Sequence, residues 1–391
     1  MFSSCGLQDN PTSNQSEIEE IIAEPQPGAS DLDTYLPKLK GKRVGVVVNH
    51  TSMINDVHLV DKLMSEGIDV QMIFAPEHGF KGTAYNGEEI KDGLYKGKTP
   101  IRSLYGKTKK PLDVDMQAID VVVFDIQDVG ARFYTYISTL HYVMEAAAEN
   151  DRHVIILDRP NPNGHYIDGP VLQDGFSSFV GMHPVPVVYG MTIGEYGLMI
   201  NGERWLKDGV KCSLEVVKIR GNYTHSTPYQ LPIAPSPNLP NYRSILLYPS
   251  LCFFEGTVVS AGRGTNKQFQ IYGHPQMKGD FSFTPVSMTS SKYPKHEGKL
   301  CKGYNLESIE ATEIFSQKRL DLSHLVTAFR QTTLTDDPFF LKSNFFNKLA
   351  GNKTLMNQLK ENWTIDRIRD SWEHDLGAFK AVRAKYLLYP E

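Results

Sequence analysis

From about Asp31 onward, short apolar blocks recur along the chain, and each stops abruptly at polar side chains. Arg43 to Val48, Val70 to Ala75, Val121 to Phe124 and Val154 to Leu157 are continuous and rich in β-branched residues. Runs of that kind read as strands buried on both faces of a parallel sheet. Between them the period changes. Val57 to Glu66 carries Leu59, Val60, Leu63 and Met64 on one helical face, with Gly67 as a stop. Ile137, Leu140, Met144 and Ala147 mark a second helix, and Ile101 to Leu104 a short extra strand. Thr192-Ile193-Gly194-Glu195 is a capping box that opens a helix towards Trp205. Strands alternating with helices imply βαβ units, hence a parallel-sheet α/β domain over residues 31–231. Past Pro232 the texture turns proline-rich and irregular, with strand-like Phe269 to Tyr272 and Phe281 to Ser287, and predicts a smaller α+β domain over 232–391. It closes with one amphipathic helix capped by Thr364, its stripe formed by Ile365, Ile368, Trp372, Leu376, Phe379, Val382 and Tyr386.

Composition narrows the classes. At 391 residues the chain is long enough for two cores. A net charge of −4 gives no basic field for nucleic acid, and no apolar run approaches the length that spans a bilayer. Cys5, Cys212, Cys252 and Cys301 have no metal-like spacing, so structural zinc is not expected; a disulfide among the last three stays open. Residues 1–30 are rich in Ser, Pro, Asn, Gln and Glu, which predicts a disordered tether. At its head, Phe2-Ser3-Ser4-Cys5-Gly6 resembles the end of a trimmed bacterial lipoprotein signal. The expectation is an envelope location, with the membrane reached only through a lipid on Cys5.

Four strands end in polar clusters: Asn49/His50, Glu77/His78, Asp125/Gln127/Asp128 and Asp158/Arg159/Asn161. Asp and Asn favour such turns by bonding local amides, so one cluster alone carries little. Four of them converging on the carboxyl edge of a parallel sheet point to a site. Glu77 is the sharpest member, because turn roles seldom fall to glutamate. Beside apolar walls a carboxylic acid holds its proton towards neutrality and suits a general acid. Asp125 is the candidate partner carboxylate. Asp128 reads first as a turn or helix-entry residue, and Glu88, on a glycine-bearing loop, as a group able to swing over the site. Arg132, Arg159 and Arg263 each offer a bidentate fork for a substrate carboxylate, and Tyr134, Tyr136, Tyr189 and Tyr242 offer faces for sugar stacking. His50, His78 and Asp125 form an alternative metal set, although they lie on three separate strands in no familiar spacing. No GxGxxG, GxxxxGK[ST] or GxSxG is present, so neither nucleotide binding nor acyl transfer is supported.

Nine stretches together resemble the NamZ-type (YbbC family) exo-β-N-acetylmuramidases: LKGKRVGVVVNHTS (39–52), PEHGFKG (76–82), SLYGKTKKP (103–111), VVVFDIQDVGARFYTYIST (121–139), ILDRPNPNG (156–164), DGPVL (168–172), YGMTIGE (189–195), PSPNLP (235–240) and EGTVVSAGRGT (255–265). The resemblance implies a Rossmann-like domain followed by a smaller ancillary one, with the site in the cleft between them. It implies removal of terminal N-acetylmuramic acid from peptidoglycan fragments, without a cofactor. It adds Glu255 to Glu77 and Asp125 as a candidate reacting group, and Asn238 as a substrate contact. The substrate's 2-acetamido oxygen is a further candidate for the second group, as in substrate-assisted glycosidases. The NPNG at 161–164 is shorter than the NPxxG of relatives and predicts an altered rim loop.

Overall fold

The computed structural model describes residues 24–85, 88, 91–332 and 338–391. A seven-stranded sheet forms its spine: β1 (Arg43–Val48), β2 (Asp69–Ala75), β3 (Gly93–Tyr95), β4 (Thr99–Ser103), β5 (Val121–Asp125), β6 (His153–Leu157) and β7 (Ser213–Val217). Their order is β3-β4-β2-β1-β5-β6-β7, parallel throughout except for the edge pair β3–β4. Both faces are covered. Val121 and Val123 join Tyr35, Leu39, Leu59 and Leu63 on one side, while Val122 and Phe124 join the helices Tyr136–Glu149 and Ile193–Gly202 on the other. This two-sided burial is why the strands are apolar without alternation.

The α/β class and the central strands agree with the sequence. β7 and the short antiparallel β3, which carry weak apolar signals, complete the sheet beyond the predicted set. The helix expected over 57–66 is shorter, Leu59–Ser65, because Val57–His58 pairs with Met53–Ile54 and the His58 ring caps it by accepting from the Val60 amide. The Thr192 capping box forms as read. The tether expected over 1–30 ends earlier than composition suggests: Gln26 pairs with Arg220, and Gly28 and Ala29 are buried against the sheet. Cys5 lies outside the described residues.

In the later part of the chain, a three-stranded antiparallel sheet (Ile271–His274, Cys301–Asn305 and Phe281–Phe283, in that order) is surrounded by helices. The first of these strands starts later than predicted because Phe269 takes a left-handed backbone, φ 53°. The closing helix divides into Ile365–Asp370 and Glu373–Arg383. The Ser371 hydroxyl bonds the Ile368 carbonyl at 2.6 Å, competing with the helical ladder at the break. Thr364 caps the first piece as expected, and Ile368, Trp372, Leu376 and Phe379 are buried. They belong to the same continuous core as Phe124 and Leu140. Among the described residues, no helix is long and apolar enough to cross a membrane.

Candidate active site

The polar strand ends divide into two groups with different fates. Those nearest the β1–β5 switch point are spent inside the protein. Asp125 is fully buried, and both its oxygens are taken by Arg159, Nε to Oδ1 at 2.6 Å and Nη2 to Oδ2 at 2.9 Å. Neither residue lines the cavity described below, which sets Asp125 apart from the expected partner carboxylate and Arg159 apart from the expected substrate forks. Gln127 donates to the carbonyls of Asp128 and Pro160, and Asn161 to that of Met191. Asp128 accepts from the Gly130 amide and the Tyr189 hydroxyl; burial raises its pKa to about 6 against those bonds. Gln127 and Asn161, expected among the substrate contacts, instead hold backbone, and Asp128 takes the turn role first read for it.

Arg132 departs furthest from the substrate fork it was expected to be. Its guanidinium is completely buried and donates to the carbonyls of Pro170 (2.8 Å), Val185 (2.6 Å) and Leu349 (2.8 Å), with no carboxylate among them. Burial lowers its pKa to about 9. It is a tie between the parallel-sheet region and the helix Phe345–Ala350. His50 sets its Nε2 2.8 Å from the Ala234 carbonyl and packs so tightly on Gly82 that a Cβ there would lie 1.9 Å from its ring. Glu88 closes its own loop by accepting from the Tyr85 amide. Among the described residues no three His, Cys, Asp or Glu side chains gather as metal ligands, and the predicted set of His50, His78 and Asp125 is dispersed in these bonds. Cys212, Cys252 and Cys301 are buried free thiols.

The second group surrounds a cavity of about 400 Å³, within the range of small-ligand sites. β2 delivers Glu77 and His78, the loop after β4 delivers Tyr105 and Lys109, and the entry to the helix after β5 delivers Tyr134, Thr135 and Tyr136. The later half contributes Ser236, Asn238, Tyr248, Glu255, Arg263 and Phe269. His78 is held at φ 67°, a conformation disfavoured for a non-glycine residue, and its Nδ1 lies 2.8 Å from the Ala84 carbonyl. Strain of that kind persists where surrounding structure fixes it, and here it turns the chain so that Glu77 faces inward. Tyr105, Gly106, Lys109, Phe179 and Val180 keep solvent exposure on one side of the cavity, and Glu255, Arg263 and Phe345 keep part of theirs on the other. Tyr134, Leu239 and Phe269 close its interior.

Glu77 Oε2 accepts from Thr135 Oγ1 at 2.7 Å, and Tyr105 lines the cavity beside it. Burial, then the charge of Glu77, raises the Tyr105 pKa. Asn49 stands one step back: its Nδ2 donates to the Tyr136 hydroxyl at 3.1 Å and so positions a cavity wall without reaching the cavity itself. Tyr134 donates to the Pro235 carbonyl at 2.9 Å, stitching the proline-rich loop to the sheet side. Asn238 donates to the Ser290 carbonyl at 3.0 Å, which fixes its amide orientation and leaves its buried Oδ1 without a partner. Arg263 Nε donates to Glu255 Oε1 at 3.1 Å. Burial acts most strongly on Glu255 and works to raise its pKa, but Arg263 and Lys295 together outweigh it and leave the value below the ordinary one. Glu255 is therefore a carboxylate near neutrality.

Sequence reasoning placed Glu77, His78, Glu255, Arg263, Asn238, Tyr134 and Tyr136 at one site, and the structure brings all seven to one cavity. It missed Thr135, Tyr105, Lys109, Phe179 and Tyr248. Thr135, Tyr105 and Lys109 sit within two of the nine matched stretches, FYTYIST and SLYGKTKKP, which was the available signal. Phe179 belongs to none of them.

A pocket closed in its interior, with one carboxyl group from each half of the chain, is the arrangement of a carboxylate-pair glycoside hydrolase acting at a chain end. The comparisons agree. Residues 44–243 match the model for the N-terminal part of exo-beta-N-acetylmuramidase NamZ, and residues 246–389 that for its C-terminal part; the chain belongs to this family. It is 37% identical, over 92% of its length and 90% of the relative's, to the peptidoglycan beta-N-acetylmuramidase NamZ of Bacillus subtilis. Two crystal structures of DUF1343 family proteins from Bacteroides fragilis share the fold. One has a TM-score of 0.86 at 44% identity, covering 94% of this chain and 100% of its own; the other has 0.80 at 29%, covering 93% and 99%.

Proposed function

We propose that this protein is an exo-acting β-N-acetylmuramidase that removes the terminal N-acetylmuramic acid from the non-reducing end of peptidoglycan fragments. The observation that carries the reading is the convergence of Glu77 and Glu255, from opposite halves of the chain, on one inward-closed cavity. Glu77 donates a proton to the glycosidic oxygen as the bond from C1 breaks. Thr135 holds its carboxyl group in place. The ionised Glu255 offsets the positive charge that develops at C1 and the ring oxygen. Water adds at C1, and its proton leaves to a carboxylate. Asn238 Oδ1 offers an acceptor to the N–H of the 2-acetamido group, and the leaving sugar rests against Phe179 and Tyr105 at the opening. The sheet-bearing region over 31–231 supplies the acid, and the ancillary region over 232–391 closes the cleft with Glu255.

Incubation with a chromogenic β-N-acetylmuramide beside the matching β-N-acetylglucosaminide tests the activity. Cleavage of the first alone is the expected result, unaffected by chelator. Saturable binding of muropeptides with no released sugar would favour a binding protein, and loss of turnover with chelator would favour a metal-dependent hydrolase. The substrate is an envelope polymer and the Cys5 motif resembles a lipidation site, so we place the protein at the envelope, periplasmic or anchored through that cysteine. Fatty-acid labelling in the native host should mark the chain and be lost on Cys5→Ser; an unlabelled wild-type chain would remove the anchor.

A further inference from the structure

The charges behind the cavity do not balance. Arg263 and Lys295 are both half-buried beside Glu255, the carboxylate that acts on each of them. Lys295 Nζ is hydrogen-bonded to the Phe254 and Val259 carbonyls, 2.6 and 3.3 Å away, which bring dipoles but no charge. His78 also feels Arg263, and burial lowers its pKa, so it is neutral near pH 7 and cancels nothing. Glu77 is bonded to Thr135 instead and stands outside this cluster. The cluster thus holds two cations for one anion. Buried charges are costly unless paired, so a surplus cation facing a cavity calls for an anionic ligand.

A second observation points the same way. Arg263 spends its Nε on Glu255, while its Nη1 is buried with no hydrogen-bond partner. The guanidinium carbon lies 5.1 Å from the centre of the Phe269 ring, which fixes its plane. Arg263 and Glu255 stand in a wall shared by the main cavity and a second one of about 170 Å³, which also meets Lys292, Lys295 and Tyr85. A free guanidinium edge beside two lysines is built for a carboxylate rather than for a neutral hydroxyl.

We propose that Arg263, supported by Lys295, binds the carboxylate of the 3-O-lactyl substituent on the terminal sugar, and that this contact distinguishes a muramic acid from a glucosamine. The proposal rests on the reading of the cavity as a muramidase site, and names what selects its substrate. Glu255 orients the fork through Nε, and the lactyl carboxylate completes the charge balance at Nη1. A sugar without that carboxylate leaves the cation unpaired and is rejected for that reason.

Calorimetric binding of N-acetylmuramic acid, its lactyl N-methylamide and N-acetylglucosamine tests this without requiring turnover. The wild type should bind the acid roughly 30-fold or more tightly than the other two, the scale expected when one partner of a buried charged pair is removed. Arg263→Gln should bring all three within about 5-fold of one another, by the same reasoning. Equal binding of the acid and its amide by the wild type, or an intact preference in Arg263→Gln, would overturn the proposal. The amide comparison stands even if that variant fails to fold. Lost hydrolysis with retained selectivity for the acid would count against the muramidase reading alone; hydrolysis with no selectivity would count against the carboxylate site alone.

Discussion

Glu77→Gln is expected to lower kcat on a muramyl disaccharide by roughly 10²- to 10⁴-fold, the span that general acid catalysis supplies. Glutamine preserves the shape and can still accept from Thr135, so the thermal midpoint should remain close to that of the wild type. The loss should be smaller on a nitrophenyl muramide, because a stable phenolate leaves without being protonated. That contrast separates an acid from a residue that merely shapes the cavity, which would affect both substrates alike. Steady-state kinetics on the two substrates read it directly. Near-normal turnover of the disaccharide by the variant would remove Glu77 from the role.

Arg159→Met should destabilise the fold by about 3–5 kcal/mol, since it leaves the buried Asp125 carboxylate without its counter-charge. The effect is large because Asp125 is wholly enclosed and uses both oxygens on that one guanidinium. Replacing the pair together, Asp125→Leu with Arg159→Met, should recover most of the loss, as apolar substitutes for a buried ion pair commonly do. Urea unfolding of the three variants provides the measurement. A single variant as stable as the wild type would mean that the pair is not sealed from solvent, and would return Asp125 to the list of reacting groups.

Much of this architecture was legible from the chain. Buried parallel strands announce themselves as unbroken apolar runs, and four polar strand ends pointed to one edge of the sheet. What the pattern did not reveal was which of those ends face a cavity. Asp125 and Arg159 end their strands in clusters as polar as the one that holds Glu77. The edge of a parallel sheet must neutralise its own polar groups before it can offer any to a ligand, and that sorting depends on partners far away in the chain. Arg132 is the extreme case. Its partners are the carbonyls of residues 170, 185 and 349, and a backbone acceptor leaves no mark on side-chain identity. Lys295 and Phe179 were missed for a related reason, since each lies in an irregular segment with no periodicity to draw attention to it. Glu77 was found because a glutamate in a tight turn has few structural uses.

The Arg132 tie has a consequence for how such chains vary over time. One guanidinium spans both family segments, and the junction between those segments, residues 243 to 246, falls inside the helix Tyr242–Leu251. Recombination at that junction would cut through a helix and exchange the backbone that receives a buried charge. Exchange of one segment alone should therefore destabilise the fold, and point changes around the cavity are the route to a new specificity that leaves the tie intact.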